Sequence, residues 1–141
     1  MKIKELKEDL YRWKISKERV IHFAIGMAAL LIYEFIARPY YRPYIYQHQI
    51  NDFHIADTLG NSLGTIATIY TLLALFGRTR PQHIFLINTI TISVALYEVA
   101  HPLLGKPIDP WDILATIVSG GFCFLLYRWI HPQTSALKKS A

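Results

Sequence analysis

The sequence predicts an all-α membrane protein with four transmembrane helices arranged as two tandem hairpins, preceded by an amphipathic interfacial helix. Its 141 residues are 52% hydrophobic and 18% charged, whereas soluble domains carry about 25% charged residues. Four apolar stretches have roughly the 20 residues that a helix needs to cross a bilayer. Most Lys and Arg residues lie at the ends of these stretches, so the net charge of +5 indicates membrane orientation and no nucleic-acid partner.

The four predicted spans are separated by helix-breaking sequences. The spans cover 19–37, 54–76, 83–104 and 111–130, within a transmembrane domain of 19–131. The separators are Arg38-Pro39 through Arg42-Pro43, Gly77 through Pro81, and His101-Pro102 through Asp109-Pro110. The alternative is a soluble bundle of buried helices, but four segments of this length would leave it almost no polar surface.

The two ends of the chain have a different character. In residues 1–18, apolar residues recur every three or four positions with Lys and Arg between them, which predicts an amphipathic helix lying on an anionic membrane surface. No small-residue cleavage site follows the first apolar run, so a cleaved signal peptide is not expected. Residues 132–141 are predicted to be a short disordered tail.

The distribution of basic residues predicts the orientation. Of the 15 Lys and Arg residues, all but Arg38, Arg42 and Lys106 lie in the N-terminal segment, in the second connection or at the C-terminal end. The positive-inside rule therefore places both termini in the cytoplasm.

Two passages of the sequence resemble each other and indicate an internal repeat. Tyr33-Glu34 and Tyr97-Glu98 each end an apolar stretch, and each is followed by a helix that opens with an aspartate, Asp57 or Asp112. Repeats of this kind are common in membrane proteins. The repeat places all four carboxylates near the outer ends of their helices.

Acidic residues inside membrane segments are costly and usually mark function. Asp57 and Asp112 are also explained as early-turn acids that the helix dipole favours, but Glu34 and Glu98 lie at helix ends where the dipole disfavours them. The spacings Gly60-x-x-x-Gly64 and Ala115-x-x-x-Ser119 predict close helix packing on the same faces, and also allow a homo-oligomer. The residues predicted to line an outward-facing ligand-binding pocket are Glu34, Asp57, Asn61, Glu98, His101 and Asp112.

The same region contains candidate metal ligands. His54-x-x-Asp57 and Glu98-x-x-His101 each place a carboxylate and an imidazole on one helix face, and mixed nitrogen and oxygen ligands suit a divalent ion. His54, Asp57, Glu98 and His101 are therefore candidate ligands of one divalent metal ion, and a purely hydrogen-bonded cluster is the alternative. His22 lies near the opposite end of the first span, where we expect an interfacial histidine bonded to a neighbour.

Three passages resemble the VanZ-like family of small bacterial membrane proteins. Lys17 through Phe23 is similar to the charged-x-x-His-Phe opening of that family's first helix, Tyr97-Glu98 resembles its membrane glutamate, and Pro107 through Gly120 resembles its last-helix motif. The family usually has Asn and Gln where this chain has Thr116 and His101. The resemblance implies a multi-pass protein of the bacterial inner (plasma) membrane, associated with the cell envelope and, in some members, with resistance to glycopeptide antibiotics. The family has no settled biochemical activity.

These observations predict a membrane protein whose acidic pocket binds a lipid headgroup or an envelope-directed ligand, either directly or through a divalent cation. One alternative is a metal-assisted hydrolase or transferase acting on a lipid headgroup, in which His54 or His101 is the base or a ligand. Another is a small ion channel or transporter, and a purely structural membrane subunit is the third.

Overall fold

The computed structural model describes residues 15–77 and 79–132, which form helices and no strand. The α-helices are α1 (Lys17–Ile32), α2 (Arg42–Gln47), α3 (Ile55–Leu75), α4 (Arg80–Val99) and α5 (Pro110–Ile130). A π-helical segment, Tyr33–Tyr41, joins α1 to α2, and a 3₁₀ turn, His101–Leu104, follows α4. Most of the predicted amphipathic helix and of the predicted C-terminal tail lies outside the described residues.

Within the described residues, three helical segments are long and apolar enough to cross a membrane. They are Lys17–Gln47, Ile55–Leu75 and Pro110–Ile130. Helix α4 has 20 residues but is not among them, and polar side chains such as Asn88, Thr89 and Ser93 lie near its middle. The all-helical class and the presence of apolar, membrane-length helices are thus confirmed, while a fourth span stays a prediction.

The first predicted span does not end where the sequence predicts. Helical structure runs without a break for 31 residues, through Arg38-Pro39 and Arg42-Pro43, to Gln47. Proline lacks an amide hydrogen and its ring clashes with the carbonyl four residues earlier in an α-helix. The wider π turn avoids this clash, and the N–H of Arg42 bonds Ala37, five residues back. The predicted connection is therefore wrong, and the chain reverses at residues 48–54.

Successive long helices run in alternating directions, so that four helix ends meet at each end of the bundle. Helix α1 packs along α3, α3 contacts α4 and α5, and α4 contacts α5. Small residues permit this close approach: a Cβ at Gly26 would lie 3.0 Å from the backbone nitrogen of Thr71. The centre is filled by a cluster of buried side chains, Ile69, Tyr70, Leu73, Leu86, Ile87, Ile90, Cys123 and Tyr127.

Candidate functional site

Four of the six predicted ligand-binding residues meet where α3 and α5 begin and α4 ends. We call this group, Asn61, Glu98, His101 and Asp112, the acid site. The side chain of Asn61 hydrogen-bonds Asp112, which also faces the charges of Glu98 and His101. His101 Nδ1 lies 3.1 Å from Glu98 Oε2. Three helices and the 3₁₀ turn after α4 therefore contribute to one cluster.

Local sequence signals position these side chains. The carboxylate of Asp109 accepts a 2.8 Å hydrogen bond from the backbone N–H of Trp111 and begins α5, which places Asp112 in the first turn. Helix α4 ends at Val99, and the 3₁₀ turn that starts at His101 keeps the imidazole beside Glu98.

Glu98 is the most unusual group in the acid site. It is 3% exposed, and its Oε2 has no hydrogen-bond partner among the described residues. The contact with His101 is close enough for an ion pair but is not aligned as a hydrogen bond. Thr116, one turn after Asp112, is fully buried, and its hydroxyl also has no hydrogen-bond partner among the described residues. Because an unsatisfied buried polar group is costly, the acid site needs a further hydrogen-bond donor.

Asp57 lies in a neighbouring and better compensated environment. It accepts a hydrogen bond from the hydroxyl of Tyr46, and His54 Nδ1 lies 3.3 Å from its carboxylate. Arg42 in turn donates to the Tyr46 hydroxyl at 3.3 Å. Tyr46, His54 and Asp57 border a cavity of about 340 Å³, here called the outer-loop pocket after the orientation that the basic residues predict. It is lined by Ile45, Tyr46, Gln49, Ile50, Asn51, Asp52, His54 and Asp57.

Glu34 does not share the environment of its repeat counterpart. Its side chain is 42% exposed and pairs with Arg38 at 3.1 Å, one turn later on the same helical segment. Arg38 is thus the basic side chain beside Glu34, and His101 is the one beside Glu98. The two glutamates occupy equivalent places in the proposed repeat, yet one is exposed and the other is buried.

The residues predicted to bind a metal form two pairs, His54 with Asp57 and Glu98 with His101. Across residues 15–77 and 79–132, no group of three or more His, Cys, Asp and Glu side chains is arranged to hold a metal ion. In the described residues, the four predicted ligands therefore do not surround one common metal position.

A second polar cluster lies at the opposite end of the bundle; the sequence predicts a bonded histidine at His22 but does not reveal the other members. His22 is fully buried, and its Nε2 lies 3.0 Å from Nε2 of His131. The ring of His83 contacts that of His22 edge-on, with centroids 5.4 Å apart, and its Nδ1 lies 3.0 Å from the hydroxyl of Tyr127. We call His22, His83 and His131 the histidine cluster.

No short motif connects these histidines, which are separated by up to 109 positions. The positions of the histidines along helices of alternating direction are the signal that brings them together. His22 and His83 lie near the starts of the first and third long helices, and His131 follows the last residue of the fourth. In an alternating bundle, these positions belong to the same end.

Comparison of the chain with protein-family models, curated proteins and solved structures gives no match.

Proposed function

We propose that this chain is a four-span protein of the bacterial inner membrane whose acid site binds the ammonium group of an envelope lipid headgroup. The observation that carries the proposal is the buried carboxylate of Glu98, whose Oε2 accepts no hydrogen bond from the described residues and which lies beside a second carboxylate, Asp112. An ammonium group offers three N–H donors and one positive charge.

The charges within the acid site favour a cationic ligand. Glu98 and Asp112 supply two carboxylates, and His101 is the one ionisable base among the four residues of the site. Asp109 also faces Asp112 and adds further negative charge. A bound cation relieves this repulsion, since an opposite charge within a few ångströms stabilises a carboxylate. A neutral or anionic headgroup has no such advantage.

An organic cation fits the described residues better than a metal ion does. A metal needs several ligand atoms converging on one point, and no such group of three is present in the described part of the chain. A protonated amine is less demanding, because its three hydrogen bonds can go to Glu98, Asp112 and the unpaired hydroxyl of Thr116.

The membrane arrangement in the proposal has its own support. Helix α4 is 20 residues long, which corresponds to about 30 Å of helix, and it packs against α3 and α5, both of which have the apolar character of membrane spans. With both termini in the cytoplasm, as the basic residues predict, the acid site faces outward. Glu98 and Asp112 belong to the passages that resemble the VanZ-like family, and both lie in this site. The proposal therefore includes membership of that family.

The test is lipid binding by the purified protein, measured by native mass spectrometry. The lipids are phosphatidylethanolamine, its N-acetylated form, which lacks the positive charge, and phosphatidylglycerol. We expect the wild-type protein to prefer phosphatidylethanolamine at least tenfold, equivalent to about 1.4 kcal/mol. Glu98→Gln and Asp112→Asn should each remove that preference. Glu34→Gln, which removes an exposed glutamate outside the acid site, is the matched control and should retain it.

The outcomes separate the proposal from its alternatives. Equal binding of the native and N-acetylated lipids would refute recognition of the ammonium group. Binding that disappears with a chelator and returns with a divalent ion would favour the metal-bridged alternative. Conversion of the lipid during incubation would favour the enzyme.

A further inference from the structure

The histidine cluster lies away from the acid site and takes no part in the proposed headgroup binding. It joins three helices at the end of the bundle where α1 and α4 begin and α3 and α5 end. His22 is completely buried, His83 is 5% exposed, and the side chain of His131 is 18% exposed. Two imidazoles whose nitrogens are 3.0 Å apart must have a proton between them, since two bare nitrogen lone pairs would repel each other.

The surroundings of His83 fix its protonation. The edge of its ring that carries Nε2 lies against Gly77, whose backbone carbonyl accepts a hydrogen bond from it. Nδ1 therefore carries no proton and accepts the hydroxyl hydrogen of Tyr127 at 3.0 Å. Both nitrogens are occupied, so His83 is a neutral positioning residue that holds Tyr127 and packs edge-on against His22.

The neighbours of the other two histidines also indicate which ring nitrogen carries the proton. His22 Nδ1 faces the backbone of Leu73 without a well-aligned bond, and a carbonyl there calls for the N–H on this side of the ring. Nε2 of His22 is then an acceptor, and Nε2 of His131 is the donor in the 3.0 Å contact. Nδ1 of His131 is left with a lone pair, 3.9 Å from the exposed carboxylate of Glu18.

We propose that His22 and His131 form a proton-binding site that takes up one proton from the side of Glu18 and shares its charge across the Nε2–Nε2 contact. The proton binds Nδ1 of His131, and that ring becomes an imidazolium. Its Nε2 proton can then move to Nε2 of His22, which becomes the cation and leaves His131 neutral with its proton on Nδ1. One proton enters, and the pair carries one positive charge in either arrangement.

A second proton is excluded by the charges around the pair. Two imidazolium rings with nitrogens 3.0 Å apart would repel strongly in a buried setting. Of the charged groups on the packed elements, Glu18 favours protonation, whereas Arg80, which donates to the backbone oxygen of His131 at 3.2 Å, and Arg19, at the same end of α1, oppose it. Tyr70 and Tyr127 flank His22 and carry no charge.

The consequence for the fold is a link between its first and last helices that persists when the pair takes up one proton. The neutral pair and the singly protonated pair both keep the hydrogen bond from His131 to His22. Forcing a second proton onto the pair breaks it and separates α1 from the end of α5.

Histidine-selective nitrogen-15 NMR of the full chain in lipid nanodiscs tests the proposal. In the wild-type protein, we expect the signals of His22 and His131 to change together with one midpoint as the pH falls, while the signals of His83 stay those of a neutral imidazole. His131→Gln should abolish the titration of His22 over the same range. His48→Gln, which removes an exposed histidine bonded to Tyr44, is the control and should leave it intact.

Two results would overturn the proposal. One is independent titration of His22 and His131 at separate midpoints in the wild-type protein. The other is an unchanged titration of His22 in His131→Gln. If His131→Gln fails to fold, the wild-type titration alone still decides, since joint and separate midpoints are distinguishable without any variant.

Discussion

His54 stacks on the indole of Trp111, with ring centroids 4.9 Å apart and ring planes 17° apart. His54 is the last loop residue before α3 and belongs to the outer-loop pocket. Trp111 lies in the first turn of α5, next to Asp112 of the acid site. One aromatic contact thus joins the two polar regions at this end of the bundle.

Replacing Trp111 with leucine should loosen this connection. Aromatic pairs contribute about 0.5–1.5 kcal/mol beyond the area they bury, so we expect Trp111→Leu to lower the free energy of unfolding by about 1 kcal/mol. Denaturant titration of the purified protein in detergent measures the effect. Trp129→Leu is the control, because Trp129 is 79% exposed; an equal loss in both variants would show that the stack is not the cause.

Gly120 and Gly121 are adjacent in α5, yet alanine should have opposite effects at the two positions. A Cβ at Gly120 would overlap the side chain of Thr91, whose hydroxyl bonds Ile87 at 2.8 Å and cannot easily move. Gly120→Ala should therefore destabilise the protein by about 1–3 kcal/mol. At Gly121 no atom lies within 4 Å of the added Cβ, so Gly121→Ala should be neutral or gain up to about 1 kcal/mol. Thermal unfolding of both variants in the same detergent measures the difference. Equal midpoints would contradict the close packing of Gly120 against Thr91.

The sequence predicts the helices of this protein well because apolar length is a strong local signal. Proline is a weaker signal, since Pro39 lies inside a continuous helix where the backbone widens into a π segment. Whether such a segment forms depends on packing against α3, where Tyr33 lies on Gly60, and this tertiary contact is invisible in a one-dimensional pattern.

The candidate site is predictable only in part for a similar reason. Spacing correctly pairs Glu98 with His101 and His54 with Asp57, because residues three apart remain neighbours even where the helix starts or ends between them. Spacing does not say which of two similar glutamates faces the bundle. The exposure of Glu34 follows from the helical phase of the π segment, which the sequence does not reveal.

The hydroxyl of Tyr46 should matter to the outer-loop pocket. It links Arg42 to Asp57 by accepting from one and donating to the other. Because the tyrosine is about half exposed, Tyr46→Phe should cost about 1 kcal/mol of unfolding free energy. Tyr44→Phe is the matched control, since Tyr44 is similarly exposed and its hydroxyl makes no hydrogen bond within the described residues. Denaturant titration measures the free energy of unfolding of both variants. Equal losses in the two variants would contradict the role of the Tyr46 hydroxyl.

Asp112 offers a way to separate ligand binding from stability. In Asp112→Asn, the new amide oxygen can still accept the hydrogen bond from Asn61, while the repulsion from Glu98 and Asp109 disappears. We therefore expect the ligand-free variant to unfold at the same or a higher temperature than the wild-type protein, although it binds phosphatidylethanolamine at least tenfold less, about 1.4 kcal/mol. Asn61→Ala removes the donor and leaves the charge, so this variant should unfold at a lower temperature. A site that serves structure alone predicts the reverse for Asp112→Asn, namely a loss of stability, because its charge would then hold the helices together. Proteins are commonly less stable where functional groups repel each other in the absence of their ligand. Thermal unfolding of the two variants without lipid distinguishes these outcomes.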